Sequence, residues 1–267
     1  MTVTKTLTEG LLHVESFGEG EDVFMLHGWG MHSAYWQTVV DELQKDFRVH
    51  CIDLPGHGHS DYQGEQQLPA FIERIMQTVD NTTTKPFSLI GWSLGGLLSQ
   101  QLVHEFPGRV NNLVLIASSP SFVQREAWQH ATSESILNGF ADSLLRDYRA
   151  TLNRFLAIQV LGSDKQKQEL IKLKERLYSR GDPDPIALQA GLTLLQSVDL
   201  RDQLSAINIP VMLLGGERDT LVPITALQAM AEQLAESETH IIKGAGHAPF
   251  ISHQNEVIQH CRAFLLS

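Results

Sequence analysis

Ser88-Leu-Ile-Gly91-Trp-Ser93-Leu-Gly95-Gly-Leu-Leu98 joins an apolar run to a helical one through a turn of small residues. Phe87–Gly91 reads as a buried strand and Gly96–Phe106 as a helix. Between them stands G-x-S-x-G, with Gly91 and Gly95 two residues either side of Ser93. A strand-to-helix turn this tight forces the serine into a strained backbone conformation, and its neighbours at those positions must be small to avoid collision. The serine is then lifted to the top of a sheet at a helix N-terminus, where the positive end of the dipole favours developing negative charge. That is the setting of a nucleophile.

Working outward, Val23–His27, Arg48–Asp53, Asn112–Ala117 and Pro210–Gly215 are further short apolar runs, none with strict alternation. Continuous apolarity is what parallel strands covered on both faces require. Helix-period segments lie between them, and the clearest puts Leu68, Phe71, Ile72, Ile75, Met76 and Val79 on one stripe. Strand and helix in alternation predict a mostly parallel sheet flanked by helices. The rhythm breaks after Ser118-Ser-Pro120. From Phe122 to Val198 the patterns are helical, and the β/α alternation resumes at Ile209. The expected organisation is a core of residues 1–120 and 199–267 carrying an inserted helical cap, 121–198, over the strand ends where ligand crevices form.

A serine hydroxyl needs a positioned base to become nucleophilic. Among 12 histidines, His247 in Lys243-Gly-Ala-Gly-His-Ala-Pro249 is the candidate, with glycines before it leaving room for the ring. His253 is the nearest rival, but it is expected to open the last helix. The acid candidate is Asp219 in Leu214-Gly-Gly-Glu-Arg-Asp-Thr-Leu-Val-Pro223, with Glu217 as the alternative. Such an acid holds the imidazole tautomer and stabilises the imidazolium. Oxyanion donors are expected from the N–H of Leu94, directly after the nucleophile, and from the N–H of Trp29 in His27-Gly-Trp-Gly-Met31. The Trp29 indole would line the acyl pocket. The loop Asp53-Leu-Pro-Gly-His-Gly-His-Ser60 has two histidines but no supporting carboxylate or cysteine cluster, and reads as a structural turn.

Composition sets limits. At 267 residues, 42% hydrophobic and 19% charged, the chain can bury a sizeable core without disulfides or metal. Cys51 and Cys261 have neither metal-ligand nor redox-pair spacing and are expected to be buried thiols. A net charge of −11 argues against broad nucleic-acid binding. No apolar run reaches the roughly 18 residues of a membrane span, and Met1–Gly10 lacks the marks of a secretory signal. The chain is expected to work in the cytoplasm as a monomer, with no metal or organic cofactor.

At these motifs the chain resembles the α/β-hydrolase superfamily and, within it, the pimeloyl-carrier-protein methyl ester esterases of biotin synthesis. His27-Gly-Trp-Gly30, Gly91-Trp-Ser-Leu-Gly-Gly96, Ala117-Ser-Ser-Pro120, Arg154-Phe-Leu-Ala157 and His247-Ala-Pro-Phe-Ile-Ser-His253 carry the likeness, which runs over nearly the whole chain. The resemblance implies a serine carboxylesterase that frees methanol from pimeloyl-[acyl-carrier protein] methyl ester. It implies acyl contacts at Trp29, Ser93, Leu94, Phe155, Leu156, Ala157, Ile158, Gln159 and His247, and an acidic carrier gripped by basic cap residues. Arg154 falls on one such arginine position and Lys167 replaces another. Two more fall on Ala150 and Ile171, with Arg149 and Lys172 adjacent, and helical neighbours point about 100° apart. Independently, residues 141–180 hold nine Lys/Arg against five Asp/Glu, a basic stretch in an acidic chain. Such an asymmetry steers an acidic partner to one face. Two alternatives remain open: a small-ester or carbon–carbon bond hydrolase with the same triad, and a non-catalytic ligand receptor on this fold. Dehalogenase or epoxide hydrolase chemistry is disfavoured, since those relatives place Asp where Ser93 stands.

Overall fold

Eight strands form one sheet in the computed structural model, which describes residues 3–4 and 10–267. In chain order the elements are β1 (Val3–Thr4), β2 (Val14–Phe17), β3 (Glu21–Leu26), α1 (Gln37–Leu43), β4 (Phe47–Ile52), α2 (Leu68–Thr82), β5 (Phe87–Trp92), α3 (Leu94–Glu105) and β6 (Val110–Ile116). Four helices follow: α4 (Glu134–Arg146), α5 (Tyr148–Gln159), α6 (Gln166–Leu177) and α7 (Pro185–Ser197). The chain then runs through β7 (Val211–Gly216), α8 (Ile224–Ala231), β8 (Ser237–Ile242), α9 (Pro249–Ser252) and α10 (Gln254–Leu265). The spatial order is β1-β2-β4-β3-β5-β6-β7-β8. From β4 to β8 all neighbours pair in parallel, while β2 runs antiparallel to β4 with Val14 opposite Ile52 and Phe17 opposite Val49.

The expected parallel strands are all present, with ends moved by one or two residues. Their apolarity has the anticipated cause: every residue of β5 and β7 is buried. Three strands escaped the periodicity argument, the two-residue β1 among them. β2 is four residues long and half-buried throughout, and β8 lies at the sheet edge with polar Ser237, Glu238 and Thr239 in its first half. The α2 stripe packs inward as expected, burying Phe71, Ile72, Ile75, Met76 and Val79, with Leu68 partly buried at its start.

The chain passes from β3 outward to β4, then crosses back so that β5 pairs on the other side of β3. Such a switch opens a crevice beyond the carboxyl ends of the two central strands. The loop after β3 begins at His27 and the turn after β5 holds Ser93, so both candidate segments border it.

Helices α4 to α7 lie between β6 and β7. The excursion starts and ends at one place, for the Leu200 N–H donates to the Pro120 carbonyl at 2.9 Å. Its first dozen residues are not helical, contrary to expectation. Phe122–Ser133 is held instead by isolated bridges, Val123 to Thr132 and Arg125 to Trp128, and by the Trp128 indole N–H on the Ser121 carbonyl at 3.1 Å. Buried hydroxyls and an indole supply local hydrogen bonds there that compete with a helix.

Several bonds tie these helices down on the core. The Tyr35 hydroxyl donates to the Leu173 carbonyl at 2.7 Å, and the His32 Nε2–H donates to the Arg176 carbonyl at 2.8 Å. Arg180, just beyond α6, pairs with Glu15 and lies 3.5 Å from the buried Asp53. Cys51 and Cys261 are buried free thiols; burial raises both pKa values, that of Cys261 to about 12. No helix among the described residues is long and apolar enough to cross a membrane.

Candidate active site

Ser93 sits at the N-terminus of α3 with φ 54° and ψ −116°. A non-glycine residue held at positive φ costs on the order of 1–3 kcal/mol and persists only where its surroundings enforce it. The enforcement here is visible. The Ser93 N–H donates to the Ile116 carbonyl at 3.0 Å. Its carbonyl accepts from the N–H groups of Gly96 and Leu97 at 3.0 and 3.1 Å, and from the Ser118 hydroxyl at 2.8 Å. The small-residue rule also has its steric reason. A Cβ on Gly91 would lie 2.5 Å from the Gly96 Cα, and one on Gly95 would lie 2.6 Å from the His27 carbonyl oxygen.

His247 follows β8 on a loop pinned from two sides. Its N–H donates to the Gln159 carbonyl at 2.8 Å, and its carbonyl accepts the Trp92 indole N–H at 2.9 Å. A Cβ on Gly246 would stand 2.7 Å from the Gln159 oxygen, so the close approach to α5 requires glycine. The ring then reaches Ser93, with Nε2 3.0 Å from Oγ. Its Nδ1 lies 2.8 Å from Asp219 Oδ2. The other Asp219 oxygen accepts the N–H groups of Leu221 and Val222 at 2.8 and 3.0 Å. With both oxygens engaged, the carboxylate cannot swing away from the ring. Ser93, Asp219 and His247 are all buried, at 3%, 6% and 1% exposure, so their mutual bonds face little competition from water.

Glu217, the other acid considered, does not reach His247; its Oε2 accepts the Gly244 N–H at 2.9 Å and props the same loop. His253 is the N-cap residue of α10, in the position expected of it.

Leu94 is the first residue of α3, and the opening N–H groups of a helix have no intrahelical acceptor. The Trp29 N–H likewise has no hydrogen-bond partner among the described residues, although the residue is 1% exposed. A donor buried in that way costs about 1–3 kcal/mol unless something fills the place. The Trp29 indole N–H is occupied, donating to the Leu188 carbonyl of α7 at 2.8 Å, and the Phe155 ring packs edge-on against it at 4.9 Å. Gly191, one turn on from Leu188, lets α7 approach: a Cβ there would be 2.9 Å from Trp29 Cδ1.

Along α5, Phe155, Leu156 and Gln159 are buried, and Ala157 and Ile158 are half-buried. Phe155 is thus brought against Trp29 and Gln159 against the His247 loop, while the Gln159 Oε1 has no partner among the described residues. Outward lie Arg149, Arg154, Lys167 and Lys172, all exposed. Arg149 pairs with Asp182 and packs over Tyr178 at 5.5 Å, and Arg154 lies over Phe140 at 5.5 Å. Lys172 lines a groove of about 350 Å³ with Lys165, Ser252 and His253.

Asp53 accepts the N–H groups of Ser33 and His59 at 2.6 and 3.0 Å, and the Ser60 hydroxyl closes its turn on the Asp53 carbonyl at 2.6 Å. No group of three His, Cys, Asp or Glu among the described residues could hold a metal ion. Sequence reasoning gave no role to Ser118, Leu188 or Gly191, nor to the indole of Trp92, though Trp92 stands inside the elbow motif itself.

The profile of the alpha/beta hydrolase fold family matches residues 23–254. A pimeloyl-[acyl-carrier protein] methyl ester esterase from Vibrio campbellii is 38% identical over 253 residues, covering 95% of this chain and 98% of its own. One from Nitrosomonas europaea is 40% identical, covering 92% and 96%. Among solved structures, an esterase from Exiguobacterium antarcticum superposes with a TM-score of 0.89 at 20% identity, covering 96% of both chains. A bromoperoxidase from Bacillus anthracis gives 0.89 at 20%, covering both chains completely. These two likenesses speak to the fold alone. With the family profile over most of its length and relatives near 40% identity end to end, the chain belongs to the α/β-hydrolases and, among them, to the family of the pimeloyl-[acyl-carrier protein] methyl ester esterases.

Proposed function

We propose that this chain hydrolyses the methyl ester of a pimeloyl group borne on acyl-carrier protein, releasing methanol and the free acid in biotin synthesis. The observation that carries the reading is the unbroken line from Ser93 Oγ through His247 to Asp219, at 3.0 and 2.8 Å, in a chain so similar to those esterases. Ser93 attacks the ester carbonyl while His247 takes its proton. The N–H groups of Trp29 and Leu94 receive the oxyanion. The carbon–methoxy bond breaks, and His247 returns the proton to departing methanol. Water, deprotonated by the same imidazole, then attacks the acyl-enzyme and frees Ser93. Trp29 and the stretch Phe155, Leu156, Ala157, Ile158 and Gln159 line the acyl chain's path. The chain acts as a cytoplasmic monomer, with 121–198 as the cap over its core.

The carrier docks on the outer faces of α5 and α6, at Arg149, Arg154, Lys167 and Lys172. Lys167, Ile171 and Lys174 are spaced i, i+4, i+7 and so share one stripe of α6, on which Ile171 is 50% exposed. An apolar centre between cations suits a helix of an acidic partner. Arg149 contributes less than its charge suggests, because Asp182 already occupies it.

The test offers purified protein the pimeloyl-carrier methyl ester beside short free methyl and aryl esters. Reversing charge at Arg149, Arg154 and Lys167 together should lower kcat/KM on the carrier substrate by at least about tenfold, and leave free esters unchanged. An untouched carrier reaction refutes the docking. Equal loss on both substrates means damaged folding or chemistry instead. Turnover of free esters with none of the carrier ester refutes the substrate.

A further inference from the structure

We infer that His27 is a positioning residue for the oxyanion donor: by holding the Gly28 carbonyl it aims the Trp29 N–H, which belongs to the same peptide group, toward the oxygen that becomes negative. This rests on Ser93 being the nucleophile and goes beyond that reading.

His27 ends the segment that leaves β3 and is fully buried. The Leu54 N–H donates to its Nε2 at 2.9 Å, so that nitrogen carries no proton. The ring proton therefore resides on Nδ1, which donates to the Gly28 carbonyl at 2.8 Å. The Met31 N–H reaches the same oxygen at 3.2 Å. In a planar trans peptide the C=O and the following N–H point in opposite directions. Two donors that fix the Gly28 oxygen therefore also fix the Trp29 N–H, turned the other way. Its neighbourhood is the nucleophile, since a Cβ on Gly28 would lie 3.3 Å from the Ser93 Cβ. Burial, with the nearby His57 adding to it, lowers the His27 pKa to about 3, so the ring is neutral and its tautomer constant near neutral pH. The anchor is itself anchored, for Leu54 follows Asp53, which accepts the Ser33 N–H at 2.6 Å from the far end of the same loop.

Two variants divide the two bonds. His27→Asn keeps a donor near the place of Nδ1 and loses the acceptor for Leu54. His27→Gln keeps a polar group near the place of Nε2 and loses the donor to Gly28. Misaiming one oxyanion donor should lower kcat of His27→Gln by about 10–100-fold with KM within about twofold, because the bond strengthens only in the transition state. Affinity for a boronic acid transition-state analogue should fall by the same factor, while His27→Asn stays within about fivefold of wild type. The idea is wrong if His27→Gln keeps kcat within threefold, if both variants lose kcat alike, or if the loss appears in KM. Should neither variant fold, 15N spectra of the wild-type protein decide: His27 must be protonated on Nδ1, and the Trp29 amide proton must move downfield when the boronate binds. An Nε2–H tautomer, or an unmoved Trp29 amide, overturns it. Unimpaired turnover in Ser93→Ala would instead refute the nucleophile itself.

Discussion

Replacing Asp219 by Asn tests the acid with almost no change in volume. The consequence follows from which oxygens are engaged. Asp219 Oδ1 accepts two N–H groups, from Leu221 and Val222, while Oδ2 accepts one, from His247 Nδ1. An asparagine must choose an orientation, and two backbone donors outvote one, so its oxygen stays on Leu221 and Val222. The amide NH2 then faces Nδ1 and can only donate. The ring proton is forced onto Nε2, which points at Ser93 Oγ and can no longer accept from it. A wrong tautomer of this kind lowers turnover by about 10⁴, or roughly 5.4 kcal/mol of transition-state stabilisation. Glu217→Gln should cost no more than about 0.5–1.5 kcal/mol of stability, since Glu217 accepts the Gly244 N–H and otherwise meets only the exposed Arg218 guanidinium at 4.0 Å among the described residues. Steady-state hydrolysis of an aryl ester, with thermal unfolding of each variant, separates chemistry from folding. If Asp219→Asn stays within tenfold of wild type while Glu217→Gln loses more, the assignment of the acid is wrong.

Three further outcomes are expected. Gly191→Ala in α7 should gain about 1 kcal/mol from helix propensity, but its Cβ must displace the Trp29 ring 2.9 Å away. Overpacking of about 1–3 kcal/mol should win, so chemical denaturation should show net destabilisation, and a stabilised variant would contradict the packing. Ser118→Ala removes one of three donors to the Ser93 carbonyl. The expected result is a loss of about 0.5–1.5 kcal/mol in stability and a fall in kcat of under about tenfold; an inactive, folded variant would show the elbow to be more delicate than this. Finally, burial lowers the pKa of His27 to about 3 and of His32 to about 4. The unfolded chain binds more protons than the folded one between those values and about 6.5, so this stability is complete above about pH 6.5 and is lost as pH falls. Calorimetry in buffers of different ionisation enthalpy should find these two sites adding about two protons on unfolding near pH 5, a contribution that His32→Asn should halve.

The turn that holds Ser93 was legible because its steric demands are local. Gly91, Ser93 and Gly95 must be small or strained for steric reasons that a few consecutive residues contain. His247 and Asp219 were legible because glycines and the Val222-Pro223 pair mark loops after strands. What the sequence could not show are bonds between distant segments. Trp29 is 159 residues from the Leu188 carbonyl it meets, and His247 takes its main-chain partner from α5. β8 was missed because an edge strand need bury little, and the start of the excursion because local side-chain bonds replaced a helix there. His27 and Asp53 stood in quoted motifs, but their work is done through backbone groups, which leave no signature in residue type.

The proposed mechanism requires Ser93 to become covalently acylated by the carrier-borne ester. Rapid quenching of the enzyme with pimeloyl-carrier methyl ester, followed by peptide mass spectrometry, reads that step directly. One methanol per chain should be released in a burst, with the acyl group found on the peptide that contains Ser93, and Ser93→Ala should give neither. Methanol release with no acylated Ser93 peptide, or turnover that survives Ser93→Ala, would contradict the account.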